Sequence, residues 1–242
     1  MILLRRSSLP LASLILLAST LVLSSPLMAS ASVKNPTAAS ILAAANASLA
    51  KEKGVHVKVA TLAGTVSSTL VANVGQDSGS EAYVSGKETF TITVTPTYAY
   101  LSGSATGLTK LMGLSSAEQK KIGNASMSMK KGTTEFTTFH SDMTAGALAQ
   151  LLPPVKGTTL LSKRDKATGG YQLTWTKKAS TSAPKATTLM IFSTGKTTLP
   201  LEDTVTTSSS HSTTTFSKWG EAVKIVAPAS TISYAKVFST KG

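Results

Sequence analysis

The stretch Thr89-Phe90-Thr91-Ile92-Thr93-Val94-Thr95 alternates hydroxyl and apolar side chains without a break. A β-strand turns successive side chains to opposite faces, so Phe90, Ile92 and Val94 share one face and the threonines the other. The same period continues outward. Upstream, Val55, Val57 and Val59 alternate with His56, Lys58 and Ala60. Downstream, Tyr98 and Tyr100 lie on one face of the next run. Tyr171, Leu173 and Trp175 alternate with Gln172, Thr174 and Thr176, while Leu189 and Ile191 sit among Thr188, Met190 and Phe192. Residues 213–216 read as another strand and residues 223–226 as one more. Breaks at 75–79, Pro96, Gly169-Gly170, Pro184, Gly195 and Pro228 separate these runs. Short strands with turn signals between them predict a large antiparallel sheet with one apolar face.

A different period precedes the first strand. Ile41, Leu42, Ala45 and Leu49 fall on one helical face, which predicts a helix over residues 37–53 capped by Gly54. Residues 108–112, continuing toward 115–121, read as a second helix. Residues 144–152, with Leu148, Leu151 and Leu152, read as a third, stopped by Pro153-Pro154. The expected fold is α+β: a curved antiparallel β half-barrel wrapped around an N-terminal helix and short helices. No repeat and no linker divides residues 32–242, which predicts a single domain there.

The N-terminus reads as an address. Arg5-Arg6 precedes an apolar run from Leu9 to Leu23, then Pro26 and the small tripeptide Ala29-Ser30-Ala31. That layout predicts a secretory signal peptide over residues 1–31, cut after Ala31; the alternative is an uncleaved anchor. Removing two arginines and no acid takes the formal charge of +13 to +11. The remaining cations are lysines apart from Arg164, and arginine is the residue suited to bidentate phosphate and base recognition. Nucleic acid is therefore not expected as a partner. An anionic membrane or wall surface suits a lysine-coated chain better. The 34 serines and 36 threonines against 14% charged residues suit wet faces of a sheet. With no cysteine, disulfides, thiolate chemistry and a lipid anchor on cysteine are excluded.

Chemistry-bearing motifs are scarce. His56, His140 and His211 form no metal-ligand spacing, so no metal or cofactor is expected. His140-Ser141-Asp142 holds triad residue types, but adjacency in sequence does not build triad geometry. Gly195-Lys196-Thr197 lacks the earlier glycine of a phosphate loop, because Met190 stands there; it reads as a hairpin turn. No catalytic residue is expected.

The segment Thr214-Thr215-Phe216-Ser217-Lys218-Trp219-Gly220-Glu221-Ala222-Val223, followed by Ile225-Val226-Ala227-Pro228, resembles the closing strands of the LppX/LprG family of actinobacterial cell-envelope lipoproteins. Gly54-Val55-His56-Val57, the Gly/Ser-rich region at 75–86 and Thr97-Tyr98-Ala99-Tyr100 occur in that family's order. The resemblance implies a half-barrel similar to the LolA and LolB carriers, with an apolar cavity for acylated lipid. It departs from the family in lacking the acylated cysteine.

These readings converge on a secreted, non-catalytic, monomeric carrier of a lipid or other acylated amphiphile, extracellular or envelope-associated and not lipid-anchored. The expected cavity residues are Val57, Val59, Phe90, Ile92, Val94, Tyr98, Tyr100, Leu148, Leu173, Trp175 and Ile191, with residues 144–152 as the lid. The same side chains could instead fill a core against the helix stripe. Two rivals stay open: a basic envelope module binding acidic wall polymers or another protein, and a hydrolase with an unrecognised polar cleft.

Overall fold

A computed structural model describes residues 36–144, 148, 152–162, 169–180 and 184–239. The expected signal peptide, residues 1–31, lies outside the described residues, as does most of the expected helix over 144–152.

Helix α1 spans Ala38–Leu49, one turn shorter than expected. Thr37 and Ser40 form a reciprocal capping box at its start, and Ile41, Leu42, Ala45 and Leu49 are its buried stripe. Its C-cap is Ala50, not Gly54. Gly54 instead opens β1 (Gly54–Ala63), where a Cβ would come within 2.5 Å of the Glu221 carbonyl oxygen. Its glycine identity thus serves a close backbone approach rather than a helix cap.

A meander follows: β2 (Val66–Gly75), β3 (Gly79–Ser85), β4 (Glu88–Val94) and β5 (Tyr98–Gly103). Then come α2 (Ala105–Met112), α3 (Ser116–Ile122), β6 (Ser126–Lys130) and α4 (Thr134–Asp142). The single helix expected across 108–121 is two, because Gly113 takes a left-handed conformation (φ 70°) that ends α2, and Ser115 starts α3 with a new capping box. Helix α4 carries no clean apolar period, which is why its sequence gives no signal; Thr133 caps it and Phe136 alone is fully buried.

A second meander runs β7 (Thr159–Ser162), β8 (Tyr171–Lys177), β9 (Ala186–Phe192), β10 (Pro200–Thr206) and β11 (Ser210–Ser217). Residues 223–226 form no strand: after the Lys218–Gly220 turn they run outside any ladder, with Val223 against Gly54 and Gly75. The last strand is β12 (Thr231–Ser233), followed by α5 (Tyr234–Phe238).

All twelve strands join one open, curved sheet in the order β12-β6-β5-β4-β3-β2-β1-β11-β10-β9-β8-β7. Every neighbouring pair is antiparallel except β12–β6, which is parallel. The fold is α+β, with one face of the sheet carrying the helices. At one end, Leu108, Leu114, Ile122 and Phe136 pack on Phe90, Ile92, Val94 and Leu101. At the other, the α1 stripe packs on Leu173, Met190 and Phe192. Between them, Leu49 and Leu148 cover Val55, Val57, Val74 and Phe216.

Candidate functional site

The strand registers trace continuous rows across the helix-bearing, inner face. One row runs Phe90, Tyr83, Leu70, Val59, Thr214, Asp203, Met190, Leu173 and Leu160, over nine strands from β4 to β7. Its flanks are closed: Phe90 packs under the α2–α4 cluster and Met190 and Leu173 under α1. Its middle is not. Tyr83, Leu70, Val59, Thr214 and Asp203 are all half-buried.

The rows on either side differ in character. Toward the covered end, Ile92, Glu81, Ala72, Val57 and Phe216 are in register. Toward the other end, Ser68, Thr61, Ser212, Val205, Thr188 and Trp175 are in register. There Thr61 Oγ1 and Ser212 Oγ share a hydrogen bond of 2.9 Å, so these buried hydroxyls satisfy each other. The inner face thus grades from an apolar floor, through a half-open apolar row, to a hydroxyl row.

Two carboxyls interrupt it. Burial, reinforced by Asp142, pushes Glu81 up to about 7. Burial, reinforced by Glu202, pushes Asp203 up to about 7 as well. Asp203 Oδ1 is buried without a hydrogen-bond partner. The two acids belong to different rows, and β2, β1 and β11 separate their strands. In the sequence their signal was faint: each is a lone acid whose inward phase emerges only once the register is known.

Eight of the eleven expected cavity residues lie on the inner side. Val57, Val59, Phe90, Ile92, Val94, Leu173 and Trp175 share the inner face, and Leu148 packs on it from a helical position. Val94 and Leu173 are wholly buried core, whereas Val59 and Trp175 are half-buried. Tyr98, Tyr100 and Ile191 require correction: they face the other way. On β5 the inner positions are Ala99 and Leu101, paired with Val94 and Ile92, which leaves both tyrosines outside. Both rings are half-buried on that outer face. On β9 the run Leu189-Met190-Ile191-Phe192 is apolar throughout, so period alone could not assign its phase. Pairing with Asp203 and Leu173 turns Met190 inward and leaves Ile191 between Glu202 and Gln172.

The remaining motifs resolve structurally. Ser141 Oγ donates to the Thr138 carbonyl at 2.9 Å and the His140 ring packs on Phe136, so no triad forms. His56 Nδ1 meets Asn73 Oδ1 at 2.9 Å. Among the described residues no cluster of acids and histidines is arranged to hold a metal ion. No described helix is long and apolar enough to cross a membrane. The Gly195 turn joins β9 to β10 as a hairpin.

No protein-family model matches the chain, and no curated protein matches its sequence. Among solved structures, the Mycobacterium tuberculosis lipoprotein LppX is similar over 78% of this chain and 99% of its own, with 12% identity and a TM-score of 0.48. LprF from Mycobacterium bovis is similar over 79% of this chain and 97% of its own, with 15% identity and a TM-score of 0.46. A DUF1329 family protein from Desulfovibrio piger covers 78% of this chain and 93% of its own, with 8% identity and a TM-score of 0.32. These likenesses assign neither a family nor a function to the chain.

Proposed function

We propose that this protein is an exported, non-catalytic carrier that holds a lipid or other acylated amphiphile on the inner face of its sheet. The observation that supports this reading is the half-open row Tyr83–Leu70–Val59. Its apolar side chains stay partly uncovered between two helix-packed flanks, beside a row of hydroxyls. Apolar side chains in the interior of a sheet normally end under a helix or another sheet. Here an acyl chain lying along the row would complete their burial at about 0.8 kcal/mol per methylene. Binding of this kind needs a continuous apolar surface rather than a catalytic motif. Val59 and Trp175 are the expected residues left half-buried here and so the candidates for ligand contact, with Val57 and Leu148 packed beside Val59. Phe90, Ile92, Val94 and Leu173 serve as its packed walls.

The carrier acts outside the cytoplasm, free of a lipid anchor, with residues 1–31 removed as a signal peptide and residues 32–242 as one domain. Native mass spectrometry of the purified mature protein tests the reading. A co-purifying acylated mass that dissociates on activation is the expected result. A clean apo mass, together with no uptake of lipid from detergent micelles, would overturn it and leave the wall-binding module standing. N-terminal sequencing of the exported protein should begin at Ser32.

A further inference from the structure

A second concavity lies at the corner where β5, β6 and β12 meet the first turns of α4 and α5. It encloses about 390 Å³, within the range of small-ligand sites. Three of the chain's five tyrosines line it: Tyr98, Tyr100 and Tyr234. The Tyr98 and Tyr100 rings stack on each other at 5.9 Å between centroids, with 25° between planes. Tyr234 packs its ring on Phe238 at 4.4 Å, and burial, reinforced by the Glu135 carboxylate, holds its phenol pKa up. Each ring is thus held before any ligand arrives, which lowers the ordering cost of binding.

We propose that this groove binds a pyranose ring of a glycan chain. A pyranose presents a C–H face that lies flat on an aromatic ring, and a rim of hydroxyls that both donate and accept hydrogen bonds. The groove offers both halves of that chemistry: half-buried tyrosine faces, and the short hydroxyls of Ser128, Thr231 and Ser233. Ser128 Oγ donates to the Ile232 carbonyl and Ser233 Oγ accepts from the Lys236 N–H, both at 3.3 Å, and each keeps further hydrogen-bonding capacity that a sugar hydroxyl would use and an acyl chain would not. The groove holds one cation and one anion, Lys130 and Glu135, so it carries no net charge that would select a quaternary ammonium, the usual guest of a tyrosine cage. The tyrosines are not needed to fill the core, because Ala99 and Leu101 occupy the inner phase of the same strand and are wholly buried. The inference does not depend on the lipid reading, since Tyr98 and Tyr100 lie on the opposite face of the sheet.

Saturation-transfer NMR on the purified protein, with mannohexaose and hexagalacturonate as probes, tests it. Transfer into ring C–H protons of at least one probe is expected. It should fall at least five-fold in Tyr98→Ala and Tyr100→Ala and persist in Tyr100→Phe. If an alanine variant does not melt cooperatively, Tyr100→Leu, which keeps apolar bulk without an aromatic face, carries the comparison. Absence of transfer from both probes would overturn the proposal. So would transfer that survives loss of the tyrosine faces, or hexagalacturonate transfer abolished by Lys130→Gln alone, which would mark simple charge adsorption.

Discussion

The Trp219 indole Nε1–H donates to the Pro200 carbonyl at 2.9 Å, tying the turn after β11 to the start of β10. The ring stacks on Phe216 at 6.0 Å, and the next residue, Gly220, donates its N–H to the Gly54 carbonyl at 2.9 Å. One short turn therefore pins β11, β10 and β1 together at the same end of the sheet.

Replacing Trp219 separates these contributions. Trp219→Phe keeps stacking and loses a hydrogen bond worth about 1 kcal/mol. Trp219→Ala loses both and should cost close to 3 kcal/mol, the low end for a large aromatic, because the ring is half-buried. Thermal melting should rank wild type above Phe above Ala. Equal midpoints for all three would refute the pinning role.

Stability should fall as pH rises from the unfolded carboxylate range toward about 7. Glu81 and Asp203 keep their protons up to about 7 in the folded chain, whereas unfolded they release them near 4.5 and 3.8. Below both values the folded and unfolded chains carry the same protons. Between them the unfolded chain alone gains by ionising, so the stabilisation present in acid is lost by about pH 7. The melting midpoint should be several degrees higher at pH 5 than at pH 8, at about 2–4 °C per kcal/mol. Asp203→Asn, which cannot ionise, should flatten part of that slope. An unchanged slope would show that Asp203 does not retain its proton.

The carrier reading predicts opposite outcomes for two enlargements of the inner face. Val59→Trp enters the half-open row and should displace bound lipid with little loss of stability. Val94→Trp enters a site with 0% exposure, where overpacking costs about 1–3 kcal/mol, and should lower the melting midpoint. Lipid occupancy by native mass spectrometry and melting by calorimetry give the two readouts. Val59→Trp with undiminished lipid would place the ligand elsewhere.

Lys121 Nζ donates to the carbonyls of Val237 and Ser239, both at 2.9 Å, and so caps the C-terminal end of α5 from α3. Lys121→Met should loosen α5 and the short edge strand β12. Hydrogen exchange over residues 231–238 should rise several-fold while β1 and β2 stay protected. Unaltered exchange there would show the cap to be dispensable.

The period-two runs around Phe90, Val57 and Leu173 made the sheet and its inner face legible, because one face is packed and the other wet. Where that asymmetry fails, so does the reading. The run 189–192 is apolar on both faces, and only pairing with Asp203 sets its phase. In Tyr98-Ala99-Tyr100-Leu101 the larger residues face outward and the small alanine inward, the reverse of a size-based reading. Residues 223–226 have strand composition but run where no strand edge is free, since β1 already pairs with β2 and β11. The half-open row could not be read from sequence at all, because it joins side chains from strands far apart in the chain through their register.

The β1–β11 ladder, which joins His56 to Ser217 and Ala63 to Ser210, unites the two meanders along the middle of the sheet. Each meander folds from neighbours in sequence, but the seam closes a loop of about 150 residues, and contacts of such high sequence separation form late and slowly. Until β11 pairs with it, β1 has one edge unpaired. The late closure of this seam makes the waiting edge of β1 the place where a strand of another molecule would add to the folding chain.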